Sequence, residues 1–247
     1  MELALLSFLS LAGSVLSVAA AGLFLLFPER TRGQLLPCLI SYATGTLLGA
    51  AFLGLLPKAL NMGGAPVTVL GAALGGIFVF LGLEKTLLWR HCHKEDCEVH
   101  SSAGTLIVIG DALHNFMDGV LIGSALLVSP ALAYTSALAV VAHEIPQETG
   151  DFAIMLSSGW SRKKAIWGNV LSSLATVPGA FGAYYGLAYF KPALPYVMAV
   201  SAASFIYIAL ADLIPALHRR PGIGNPWGQF LLGLAGVGTI AFFVLGH

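Results

Sequence analysis

The sequence predicts an all-α polytopic membrane protein of eight transmembrane helices, and three observations predict it. Of the 247 residues, 57% are hydrophobic and only 10% charged, where an average soluble domain carries about 25% charged residues. The apolar stretches run far beyond the ten or so residues of a barrel strand and do not alternate, which selects helices. Ten of the twelve Lys and Arg residues fall in alternate loops, as they do when an even number of spans returns the chain to its starting side.

The spans lie near 3–27, 34–57, 67–89, 103–128, 131–157, 165–190, 193–217 and 226–246, each long enough for a hydrocarbon core that needs ~20 helical residues. The first opens with no basic residue before Leu3 and continues to Phe27, so it reads as a retained helix and not a cleaved leader. Pro28, the Gly63-Gly64 pair with Pro66, Ser129-Pro130, Pro192 and Pro221-Gly222 punctuate the breaks. The third and fourth spans flank a polar loop, 90–102. Arg30, Arg32, Lys85, Arg90, Lys94, Arg162, Lys163, Lys164, Arg219 and Arg220 share one side, against Lys58 and Lys191 on the other. The positive-inside rule then places both termini outside the cytoplasm. Zero net charge argues against a nucleic-acid partner. The bilayer is the one extended surface this composition requires.

A faint internal repeat accompanies this count. Residues 46–57 (TLLGAAFLGLLP) in the second span align with 204–215 (SFIYIALADLIP) in the seventh. Those spans cross in opposite directions, as inverted repeats do in transporters whose binding site lies at the midplane.

The fourth and fifth spans carry residues that do not belong in lipid. The fourth contains Asp111, His114, Asn115 and Asp118, spaced i, i+3, i+4, i+7 along one stripe. The fifth contains His143, Glu144, Gln147, Glu148 and Asp151 on another. Each charge at membrane depth costs roughly 2.5 kcal/mol or more, and neither stripe holds a Lys or Arg. A divalent cation is the simplest neutralising partner. Imidazole with carboxylate suits zinc, iron, manganese, cobalt or cadmium, and the absence of clustered thiolates argues against copper(I). A relay of protonated carboxylates is the rival reading. Pro146 leaves the Ala142 carbonyl without its helical donor beside His143.

The segments His114-Asn-Phe-Met-Asp-Gly119 and His143-Glu-Ile-Pro-Gln-Glu148 resemble the paired helix-4 and helix-5 signatures of the Zrt-, Irt-like (ZIP) metal transporters. The nearest branch has a His-Glu-x-Pro-His-Glu motif in helix 5, and residues 149–154 and 205–215 are similar to it as well. The resemblance implies one transmembrane transporter domain, 1–247, with helices 1–3 and 6–8 as inverted repeats around helices 4 and 5. It implies a binuclear midplane site, with His114, His143 and Gln147 at the primary position. Asn115, Asp118 and Glu144 would serve or bridge to a second position, with Glu148 beside them. The cargo would be zinc foremost, with cadmium, iron or manganese as alternatives, taken into the cytoplasm without an organic cofactor. An elevator-like shift of one helix group is the implied motion.

The sequence departs from that branch at Gln147, where His is expected, and at Ala50 and Gly54, where Asp and His are frequent. Asn169, Ser172 and Thr176 in the sixth span offer no carboxylate, so one firm and one weak metal position are expected. Asp111, Asp151 and Asp212 are candidate pathway residues. His91, Cys92, His93, Cys97 and His100 are similar to the metal-binding loop of many family members, although a solvated charged turn reads equally well. The short loops and the lack of an N-terminal extension point to a prokaryotic plasma (inner) membrane, and a homodimer is left open. An intramembrane zinc enzyme fits poorly, since Gln147 stands where His-Glu-x-x-His needs its second histidine. A metal or proton channel is the other alternative.

Overall fold

The computed structural model describes residues 2–63, 65–89, 99–218 and 226–245. Among them the chain is helical with no strand, and it builds eight rods. These are α1 (Glu2–Phe24), α2 (Glu29–Asn61), α3 (Pro66–Trp89), α4 (Val99–Val128) and α5 (Pro130–Ser157). They continue as α6 (Arg162–Ser173 and Thr176–Tyr189), α7 (Lys191–His218) and α8 (Pro226–Leu245). By length and composition α1, α2, α3, α7 and α8 can each cross a membrane. The other three include the rods that carry the polar stripes.

Local chemistry sets the rod ends. Ser129 caps α5, its hydroxyl accepting from the Leu132 amide at 3.2 Å, with Pro130 in the first turn where its missing N–H costs nothing. Ser161 caps α6 in the same way through the Lys164 amide at 3.3 Å. Gly63 and Gly159 follow α2 and α5 at φ +98° and +84°, a left-handed conformation that glycine adopts without strain.

The rods pair in a pattern that exchanges two halves. α2 packs on α8 and α7 on α3; α4 packs on α6 and α5 on α1. Swapping 1 with 6, 2 with 7, 3 with 8 and 4 with 5 maps each pair onto another, with α4 and α5 in the middle. Backbone detail follows the same relation. α2 widens into a π-helical turn at Ala50–Leu55, and α7 does so at Ile208–Leu213. The sequence repeat aligns these two turns residue for residue. Each holds the carbonyl, Leu53 or Ala211, that Pro57 or Pro215 leaves without a donor. α6 breaks at Leu174 and Ala175, four residues before Pro178. α5 runs unbroken through Pro146.

Contact between α4 and α6 is as close as backbones allow. A Cβ on Gly119 would lie 2.0 Å from the Thr176 carbonyl oxygen, one on Gly123 2.2 Å from that of Ala180, and one on Gly179 2.2 Å from that of Phe116. This is the small-residue packing by which helices associate without a hydrophobic driving force. Gly179→Ala is therefore expected to destabilise the folded protein by about 1–3 kcal/mol. Gly182→Ala on the same helix, where a Cβ meets nothing within 4 Å, should melt like the parent in detergent; equal melting of the two variants would contradict this packing.

Candidate metal centre

The polar stripes of α4 and α5 face each other in the bundle interior. Asp111 is 5% exposed, and Asn115, Asp118, His143, Glu144 and Glu148 are essentially inaccessible. His114 keeps 18% of its side chain exposed, and Gln147 and Asp151 are half-buried.

Four of these side chains converge on one point. The Nε2 atoms of His114 and His143 are 3.0 Å apart. His143 Nε2 lies 3.2 Å from Asp118 Oδ2 and 3.6 Å from Glu144 Oε1. His114 Nε2 lies 3.3 Å from Glu144 Oε1 and 3.7 Å from Asp118 Oδ2. A tetrahedral zinc with bonds of ~2.0–2.1 Å spaces its ligand atoms roughly 3.3–3.4 Å apart. The five separations bracket that edge length, so the four atoms already outline a small four-coordinate cage.

The cage has supporting contacts. His143 Nδ1 lies 2.9 Å from the Ala139 carbonyl oxygen. A carbonyl only accepts, so Nδ1 carries the proton and donates, leaving the Nε2 lone pair aimed at the cage. Phe205 of α7, itself fully buried, packs edge-on against the His143 ring with centroids 5.8 Å apart.

A second cluster shares Glu144. Single carboxylate oxygens of Asp111, Glu144 and Glu148 lie within 4.8 Å of one another. Both oxygens of Glu144 and Glu148, both of Asp118 and Oδ2 of Asp111 are buried without a hydrogen-bond donor. Ionised carboxylates in that condition cost several kcal/mol each, and no Lys or Arg pairs with them among the described residues. The cluster is therefore built for cations or protons.

The structure groups the stripe residues in its own way. Asp118 joins the two histidines. Asn115 turns from the cage: its amide donates to Asp111 Oδ1 at 3.0 Å, and its oxygen accepts from Thr176 Oγ1 at 3.0 Å. Gln147 reaches Asp111 Oδ1 with a long 3.5 Å contact. Asn169 of α6 donates to the Glu148 main-chain carbonyl at 3.3 Å. Thr176 reaches Asn115 because Gly119 lets α6 approach so closely. The sequence marks Thr176 only as a sixth-span residue without a carboxylate and Phe205 only as the start of a family-like stretch; their contacts at the site come from the fold.

Asp151 and Asp212 belong to neither cluster; Asp151 follows Gln147 by one turn, and Asp212 sits on the exposed side of the α7 π turn. Ala50 and Gly54 of α2 are buried, with a Cβ on Gly54 meeting the Leu132 side chain. The loop positions His91, Cys92, His93 and Cys97 lie outside the described residues. His100 is described only as backbone in the first turn of α4.

The family model "ZIP Zinc transporter" matches residues 90–244, which includes both stripes. A fruit-fly (Drosophila melanogaster) protein named zinc transporter foi is 38% identical over 153 residues, covering 60% of this chain and 21% of its own. Zinc transporter ZIP13 of Pongo abelii is 31% identical over 228 residues, covering 84% of this chain and 66% of its own. Mouse zinc transporter ZIP4 is 38% identical over 138 residues, covering 55% and 21%. The chain thus spans about a fifth of the length of several relatives and two thirds of another. With the family signature covering the helices that build the cage, this chain belongs to the ZIP zinc transporter family.

Proposed function

We propose that the protein imports a divalent transition metal into the cytoplasm through the α4–α5 site, with zinc as the first candidate and iron, manganese and cadmium as alternatives. The carrying observation is the cage of His114, Asp118, His143 and Glu144: two imidazoles and two carboxylates at tetrahedral spacing, buried where only a cation repays their desolvation. The names of the relatives, all zinc transporters, agree with it.

The order of the clusters along the helices supports a direction. α4 runs from the 90–102 loop towards Val128, so Asp111 lies nearer that loop than His114 and Asp118. α5 runs towards Arg162, Lys163 and Lys164, so Glu148 lies nearer those charges than His143 and Glu144. Both helices thus place the all-carboxylate cluster on the Lys/Arg-rich side, which the positive-inside rule assigns to the cytoplasm. Metal enters beside the partly exposed His114, is held by mixed nitrogen and oxygen ligands, and passes by way of Glu144 to Asp111 and Glu148. Oxygen-only ligands hold zinc less tightly than imidazoles do, so the step descends in affinity towards release.

An enzymatic reading finds less support. The cage holds two histidines from different helices, and Gln147 occupies the place of the second histidine in a metalloprotease helix.

In liposomes, His143→Ala is expected to abolish saturable zinc uptake and to weaken zinc binding by more than roughly 100-fold, beyond the loss of an outer-shell partner, while the helical circular dichroism stays unchanged. Retained uptake would sink the proposed site. Asp111→Asn combined with Glu148→Gln should slow uptake while zinc still titrates into the cage with near-parental affinity; uptake at parental rate would remove the second cluster from the path. Because the ligands must be deprotonated to bind metal, zinc affinity should fall and proton release on binding should grow as pH is lowered. Calorimetry in two buffers of different ionisation enthalpy measures this, and a pH-independent affinity would contradict it.

A further inference from the structure

A groove of about 470 Å³ opens at the start of α6, away from the metal cage. Val108 of α4, Trp160, Trp167 and Leu171 line it with apolar surface, and the exposed Lys163 and Lys164 line it as well. We propose that it binds an anionic phospholipid, one acyl chain along the tryptophans and the headgroup phosphate between the two lysines.

The apolar wall and the lysines ask for different chemistry, and a phospholipid supplies both. Trp167 and Leu171 are 56% and 65% exposed, on a bundle whose surrounding solvent is acyl chains. Arg162, Lys163 and Lys164 are consecutive and all exposed, and among the described residues no acidic side chain lines the groove. Ser161 caps the Lys164 amide, which leaves the amides of Arg162 and Lys163 without helical acceptors at the positive end of the helix dipole. The Lys164 ammonium lies 4.0 Å from the centre of the Trp160 ring, so its charge is held over the wall and not left to wander. Basic pockets between transmembrane helices recognise anionic headgroups in this manner.

The wall is built on purpose-shaped packing. A Cβ on Gly104 would lie 2.7 Å from the Trp160 indole nitrogen, and one on Gly168 3.1 Å from the same ring. Val108 is one turn from Asp111. Asn169, next to Gly168, holds the Glu148 carbonyl. Lipid in the groove would brace the two turns that carry the inner carboxylate cluster.

Tryptophan quenching tests this in the full chain carrying Trp89→Phe and Trp227→Phe, which leaves Trp160 and Trp167 of the four tryptophans. In bilayers, brominated phosphatidylglycerol is expected to quench several-fold more than brominated phosphatidylcholine at low mole fraction. The excess should saturate, shrink as salt is raised and vanish in Lys163→Gln/Lys164→Gln, which should keep its helicity and its zinc uptake in zwitterionic liposomes. Equal quenching by both lipids in the parent, or a salt-insensitive excess, would reduce the groove to unselective annular lipid and overturn the proposal. So would an excess that survives in the lysine variant. Quenching by neither lipid would mean that another surface, such as a second copy of the chain, covers the groove, and overturns it equally.

Discussion

Four carboxylates and two imidazoles are gathered in an apolar bundle, and among the described residues no arginine or lysine pairs with them. That imbalance of charge governs the rest of the molecule. The effective cost of burying one unpaired ion is several kcal/mol, so the stripes cannot face lipid and must be enclosed. α1, α2, α6, α7 and α8 each pack against α4 or α5, which occupy the centre of the exchangeable halves, and α3 packs on α7. Glu144 is the pivot of the arrangement: it stands in both clusters, and neither of its oxygens has a hydrogen-bond donor. Filling either cluster with a cation relieves it.

Enclosure alone would not hold a cage with separations of 3.0 to 3.7 Å. Contacts from neighbouring helices and from the main chain support both clusters. Gly119 admits the Thr176 backbone, Thr176 reaches Asn115, and Asn115 fastens Asp111. On α5, the Ala139 carbonyl sets the proton on His143 and Phe205 sets its ring plane. Packing and coordination are one network here. A methyl group added at the α4–α6 contact is thus felt at a carboxylate two side chains away.

Much of this was legible before any coordinates. The two stripes follow from helical spacing, and the eight rods from apolar length and from Pro and Gly punctuation. The alignment of 46–57 with 204–215 anticipates the paired π turns, because Pro57 and Pro215 free the same carbonyl in each half. The division of labour inside the stripes was not legible. Spacing puts Asn115 and Asp118 on one face without saying which rotates to the histidines, and a few tens of degrees about the helix axis decide it. Thr176 and Phe205 are ordinary residues on other helices, and only tertiary packing makes them partners of the site. The sequence marks them as a hydroxyl in the sixth span and the start of a family-like stretch, with no sign of these contacts.

Gln147 shows why a residue's type is not its role. A histidine there, one turn past His143, would offer another nitrogen to the metal and deepen the first well. The carboxamide instead extends an N–H towards Asp111 Oδ1 at 3.5 Å, a carboxylate whose other oxygen has no donor. Gln147 thus stands with the all-carboxylate cluster and not with the cage. On the proposed route, a neutral donor here adds no charge to either cluster, and a shallow step is crossed faster than a deep well is escaped. On that proposed reading, the neutral side chain at position 147 favours ease of release over tightness of capture.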